Sequence, residues 1–336
     1  MPTVRVDPHS PDVGVIRRAA DLLRAGELVA FPTETVYGVG ANALDERAVR
    51  KIFDAKGRPS YNPLIVHVSD ADEASRVAAA WPANARRLAE RFWPGPLTIV
   101  LPKRSEIPDA VTAGLPSVAV RVPAHPVALA LLRATALPVA APSANRSTEV
   151  SPTAAHHVEK SLAERVALIV DAGPTIVGIE STVVDLSRAK PTLLRPGGIS
   201  VLELEAIIGP IERAVPVPTG DAPRPAPGMM DRHYAPRASV ILYDASNARD
   251  RARAVRCARE ETERGGRVGA LVRRLDEAPD AAHAVVMPET PNGYARRLYA
   301  ALHELDDAGC TLIVVERVPQ EEAWAAVRDR LERGAR

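Results

Sequence analysis

Hydroxyls, a carboxylate and cations crowd into one stretch of this chain. Residues 31–70 read FPTETVYGVGANALDERAVRKIFDAKGRPSYNPLIVHVSD. Thr33, Glu34, Thr35 and Tyr37 follow an apolar tripeptide, and strand ends opening into polar, glycine-containing loops are where α/β folds place ligands. Gly38 and Gly40 allow close backbone approach or positive φ. Lys56-Gly57-Arg58-Pro59 sets two cations around a glycine stopped by a proline, which reads as an anion site. The bland alternative is a helix C-terminal cap with cations at the negative end of the macrodipole. His67, between Val66 and Val68, reads as a satisfied strand histidine or a ligand contact. Further along, Arg121 interrupts the apolar alternation of 118–122, a charge expensive to bury unless it meets a partner. It either faces water on an edge strand or aims a guanidinium fork at a carboxylate. Ser143 and Asn145 close an apolar strand, and side chains of this type usually cap a helix or hold a turn. Ser151 stands at the mouth of the next helix, where its hydroxyl and backbone N–H groups could reach a phosphate.

Taken together, PTETVYG, KGRP, NPL and HV at these spacings resemble the YrdC-like family of threonylcarbamoyl-adenylate synthases, in its long two-domain form. The motif residues spread over roughly the first 200 positions, and none departs from the family pattern. The resemblance implies a nucleotidyltransferase: L-threonine, bicarbonate and ATP give threonylcarbamoyl-AMP and pyrophosphate. The product supplies N6-threonylcarbamoyladenosine in tRNAs that read codons beginning with A. It further implies a threonine pocket of Thr35, His67, Arg121, Ala141 and Ser181. The implied ATP site comprises Lys56, Arg58, Asn62, Ser117, Ser143, Asn145, Ser151, Arg195 and Tyr234, with Lys56 and Arg58 also catalytic. A magnesium ion is expected to accompany ATP, its ligands unassigned. The implied partners are the transferase machinery that consumes the adenylate, with a weak tRNA contact. Two other readings are a carbamoyl-adenylate-forming enzyme of the hydrogenase-maturation type, usually a longer chain with zinc-binding cysteines, and an RNA-binding module.

The elements that must position these residues follow from punctuation and periodicity. Ser10-Pro11-Asp12 starts a helix whose Ile16, Ala19, Ala20 and Leu23 recur at helical spacing up to Gly26. Strands are expected at 28–31, 64–68, 97–101, 118–122, 137–141 and 168–171, with further ones beginning at 182 and 192. Helices are expected at 45–53, 71–80, 84–92, 126–133 and near 153. Trp93-Pro94-Gly95-Pro96 forces a turn that packs an indole. Arg195-Pro196-Gly197-Gly198 is, without the family, a tight turn after a strand. The expected fold is α/β: a YrdC-like twisted mixed sheet flanked by helices over 1–206, then a small Rossmann-like α/β domain over 238–336. The intervening 207–237 is rich in proline and reads as a stiff linker. It carries Pro227-Gly228-Met229 and His233-Tyr234-Ala235-Pro236, and the resemblance makes it a lid over the active-site mouth that orders with nucleotide. No G-x-G-x-x-G follows a strand in the second domain, and no catalytic constellation stands there.

Composition bounds these readings. The chain has 336 residues, 46% hydrophobic and 25% charged, an ordinary globular balance with room for a real core. Lys plus Arg number 43 against 42 Asp plus Glu, so no global basic excess marks an obligate nucleic-acid binder. Three Phe, three Trp and six Tyr leave little for base stacking. Two cysteines, Cys257 and Cys310, argue against a disulfide framework or a cysteine zinc site, and a reducing, cytoplasmic setting fits. The start has no signal-peptide core and no apolar run is long enough to span a membrane.

Overall fold

The computed structural model describes residues 3–214, 222–228, 233–274 and 281–335. It falls into two compact units, Met1–Ser147 with Pro152–Met230, and Thr148–Ser151 with Asp231–Arg336.

In chain order the first unit contains β1 (Thr3–Arg5), α1 (Val13–Arg24), β2 (Val29–Pro32), β3 (Tyr37–Asn42), α2 (Glu46–Lys56), β4 (Ile65–His67), α3 (Ala71–Val77) and α4 (Ala83–Phe92). It continues with β5 (Leu97–Pro102), α5 (Asp109–Thr112), β6 (Ser117–Arg121), α6 (Pro126–Thr135), β7 (Val139–Ala140) and α7 (Ala155–Leu162). The last elements are β8 (Leu168–Asp171), β9 (Thr182–Asp185), β10 (Thr192–Arg195), α8 (Val201–Ile208) and β11 (Glu212–Arg213). Its strands join in one mixed sheet of order β1-β8-β2-β3-β7-β4-β6-β5-β9-β10-β11.

Local chemistry explains where the helices start and stop. The Asp12 carboxylate accepts from the Val15 N–H at 2.9 Å and starts α1, whose buried Ile16, Ala19, Ala20 and Leu23 pack against Val127 and Leu131 of α6. Asp45 caps α2 through the Arg47 N–H at 2.9 Å, and Gly57, at φ 58°, ends it in the left-handed region. Lys56 is therefore the last helical residue, so the cap reading and the anion-site reading of Lys-Gly-Arg coexist.

Three expectations change. Residues 37–42 were expected as a loop but form β3, antiparallel to β2. Gly40 is there for close approach, not for positive φ: an added Cβ would lie 2.8 Å from both Phe31 and Val139 side-chain atoms. Arg121 is not on an edge, since β6 lies between β4 and β5. The opening of the expected linker continues the first unit, where α8 reaches Ile208 and β11 pairs parallel with β10. Of the linker landmarks, Pro216, Pro218 and Met229 lie outside the described residues. Residues 222–228 pack on the first unit: the Arg224 N–H donates to Tyr61 O at 3.0 Å, and Ala226 is fully buried among Ile65, Val100, Ala119, Val183 and Leu194.

The second unit alternates as its periodicity predicts: β12 (Ser239–Tyr243), α9 (Ala248–Glu263), β13 (Val268–Val272), β14 (His283–Val286), α10 (Pro291–Asp307), β15 (Leu312–Glu316) and α11 (Ala325–Gly334). Its four strands are all parallel, in the order β12-β15-β13-β14. Among the described residues no helix is long and apolar enough to cross a membrane.

Candidate active site

Contacts between a loop and a distant strand end build the site. Arg121 ends β6, whereas Glu34 and Thr35 lie between β2 and β3, and β2 is four places from β6 in the strand order. Four strand spacings of about 4.8 Å would separate them by roughly 19 Å in a flat sheet, well beyond an arginine's reach. Yet Arg121 Nη2 donates to Glu34 Oε1 at 2.6 Å and Nη1 to Thr35 Oγ1 at 2.9 Å. The loop between β2 and β3 and the end of β6 therefore meet across the strands that separate them. Both charged side chains are only 4% exposed, so each needs the other. The third nitrogen, Nε, donates to Gly95 O at 3.2 Å, and Gly95 N–H donates to Val122 O at 2.9 Å. The Trp93–Pro96 turn thus packs its indole, with Nε1 donating to Leu97 O at 2.7 Å, and also holds the arginine.

His67 is the Cα partner of Arg121 on the neighbouring β4. It is buried, and among the described residues its Nδ1 has no hydrogen-bond partner. Burial foremost, and then the Arg121 charge, pull its pKa from the usual 6.5 down to about 3. The imidazole is neutral throughout the physiological range and points an unprotonated-ring chemistry, hydrogen bonding rather than ion pairing, at whatever it meets. Ala141 follows β7, and its N–H donates to Ile65 O at 2.9 Å. Ser181 is fully buried just before β9; its Oγ lies 2.8 Å from Thr98 Oγ1. Arg195, ending β10, donates through Nη2 to the Ser181 carbonyl at 2.9 Å and to Ser181 Oγ at 3.1 Å. Its Nη1 donates to Pro227 O at 3.1 Å, so the same guanidinium clasps residues 222–228.

The segments expected to bind an anion are also joined. Lys56 Nζ donates to Ser143 O at 2.5 Å and to the Asn145 carbonyl, and Ser147 N–H donates to Lys56 O at 2.8 Å. The KGRP and SAN segments therefore meet through a lysine and main-chain carbonyls. Arg58 donates from Nε to Asn62 O at 3.0 Å and from Nη2 to Pro63 O at 2.7 Å, which holds the 58–63 loop closed on itself. A cleft of about 910 Å³ borders this loop, lined by Arg58, Tyr61, Phe53 and Asp109 among others. Ser117 begins β6, at the other end of that strand from Arg121. Ser151 and Tyr234 fall in the second unit. There His303 Nε2 sits 3.2 Å from Ser151 O, and Tyr234 packs near Tyr299 at 5.7 Å between ring centres, with the Arg330 guanidinium 4.9 Å from its own.

Sequence reasoning missed Glu34, Gly95 and Thr98 as parts of this arrangement. Only the crowding of polar residues beside Thr35 signalled the first. Nothing local signalled that Gly95 or Thr98 would touch a guanidinium or a serine far along the chain.

Comparison with known proteins places this geometry. Residues 21–197 match the Sua5/YciO/YrdC family, described as telomere recombination, and residues 199–336 match the threonylcarbamoyl-AMP synthase C-terminal domain. Threonylcarbamoyl-AMP synthase of Pyrococcus abyssi is 45% identical over 95% of this chain and 94% of its own length. That of Bacillus subtilis is 44% identical over 95% and 92%. The crystal structure of P. abyssi Sua5 complexed with L-threonine is 42% identical, with a TM-score of 0.91 over 100% of this chain and 98% of its own. The chain belongs to the threonylcarbamoyl-AMP synthase family.

Proposed function

We propose that the protein joins L-threonine, bicarbonate and ATP to give threonylcarbamoyl-AMP and pyrophosphate, the adenylate that donates the threonylcarbamoyl group in tRNA modification. The observation that carries this is the relationship to synthases over nearly the whole chain, joined to a buried Arg121 beside a neutral His67. Carbamoyl-adenylate chemistry of the hydrogenase-maturation type and simple RNA binding both fit that full-length relationship less well.

In this reading the threonine carboxylate meets Arg121, a bidentate task suited to guanidinium. Thr35, His67, Ala141 and Ser181 line the rest of the amino-acid pocket. A deprotonated amine takes up carbon dioxide derived from bicarbonate, and the carbamate oxygen attacks the α-phosphorus of ATP as pyrophosphate leaves. Such transfers need positioning and charge neutralisation more than covalent help. Lys56, Arg58 and Arg195 supply the positive charge, and Asn62, Ser117, Ser143 and Asn145 complete the nucleotide shell on the first unit. Among the described residues no group of three or more His, Cys, Asp or Glu side chains is placed to hold a metal ion. A magnesium ion accompanying the triphosphate would supply further neutralisation of its charge.

The domains are the synthase unit, a proline-rich strap and the smaller α/β unit, working in the cytoplasm and handing the adenylate to a tRNA transferase. The direct test follows carbon. With labelled bicarbonate, threonine and ATP, label is expected in a nucleotide whose mass is that of threonylcarbamoyl-AMP; label that stays inorganic sinks the proposal.

A further inference from the structure

We propose that Glu34 is a positioning residue: it aims the Arg121 guanidinium so that a two-donor fork faces an incoming α-carboxylate. The inference rests on the reading of Arg121 as the carboxylate holder. A guanidinium has five N–H groups. Three are committed, to Gly95 O, Thr35 Oγ1 and Glu34 Oε1, at 3.2, 2.9 and 2.6 Å. One hydrogen on each terminal nitrogen remains, and we take these as the two end-on hydrogens, which lie parallel as a carboxylate needs.

Glu34 is itself fixed from several sides, which is what a positioning group requires. Its second oxygen accepts from the Ala124 N–H at 3.0 Å, its backbone carbonyl accepts from Val177 N–H at 2.8 Å, and the neighbouring Thr35 carbonyl accepts from Gly178 N–H at 3.1 Å. Its carboxylate thus ties the loop after β2 to the end of β6 and cannot rotate without breaking the Ala124 bond. Both of its oxygens face donors. Glutamine offers one acceptor and one NH₂, so one of those contacts becomes donor against donor. Aspartate is a methylene too short to meet both.

Charge points the same way. The buried pair is neutral, so the site does not gather small anions by net charge. Discrimination for a carboxylate rests on the aim of the two remaining N–H groups, and losing that aim should cost recognition of the carboxylate more than it costs chemistry.

The experiment compares threonine with threoninol, which carries CH₂OH where threonine carries its carboxylate, by calorimetry and steady-state kinetics. The wild-type protein is expected to prefer threonine by roughly a hundredfold, the scale of a charge-assisted bidentate contact. Glu34→Gln is expected to shrink that preference to about tenfold or less, with the loss in KM for threonine and not in kcat or KM for ATP. An unchanged preference in the folded variant overturns the assignment and leaves Glu34 a purely structural residue. If Glu34→Gln does not fold, the same comparison is read on Glu34→Asp, which keeps the charge and pulls the carboxylate back. Wild-type protein that binds threoninol as well as threonine contradicts the Arg121 reading itself, a failure distinct from that of Glu34.

Discussion

Lys56 shows how residue chemistry and fold are entangled. Its ammonium serves the carbonyls of Ser143 and Asn145, so Lys56→Ala removes a cation from the proposed triphosphate site and leaves buried acceptors unmet. Turnover is expected to fall at least about a hundredfold, and stability by about 1–3 kcal/mol, read by pyrophosphate release and denaturant unfolding. Near-normal turnover would mean that the triphosphate lies elsewhere. His67 makes a pH prediction with a definite sign. Its pKa is about 3 when folded and 6.5 when not, so the unfolded chain holds the extra proton between those values. Its contribution is complete above pH 6.5 and is lost as pH falls towards 3. His67→Asn should therefore flatten the fall in stability across that window. Parallel stability curves for the two proteins would contradict the burial argument. Because the ring stays neutral near pH 7, it should add no limb to the rate profile between pH 6 and 8.

At the scale of elements, glycines and the strap are the sensitive points. A Cβ on Gly197 would lie 2.3 Å from Thr182 N and 2.4 Å from Ser181 C, backbone atoms that cannot step aside. Gly197→Ala is expected to displace Ser181, lowering stability by about 1–3 kcal/mol and weakening threonine binding measured by calorimetry. Unchanged affinity would separate Ser181 from the pocket. Residues 222–228 are held by Arg195, Tyr61 and an apolar cluster around Ala226. If the strap is a lid for nucleotide, ATP should slow its cleavage by protease; equal cleavage with and without ATP removes that role. Elements with strong caps and periods, such as α1 and the whole alternation after 238, were legible in the sequence. β3 was not, because YGVGAN has a loop's composition, and its Gly40 makes sense only once Phe31 and Val139 lean over it. The candidate site was legible as segments: KGRP, SAN and the isolated Arg121. What joins them was not, because Glu34 and Arg121 are 87 positions apart and meet only once the loop after β2 reaches the end of β6.

For the whole molecule, the balance of 43 basic and 42 acidic residues leaves recognition to local geometry. Two units of different architecture share the chain, and the chemistry assigned above draws mainly on the first. On the proposed reading, one protein couples three substrates in a single adenylation. The most direct measurement is pyrophosphate release from ATP with threonine and bicarbonate supplied together, and then with each omitted. Release that requires both is the expected result. Release that proceeds equally well without threonine, or without bicarbonate, would contradict carbamate adenylation and with it the roles given to Arg121, Lys56 and Arg58.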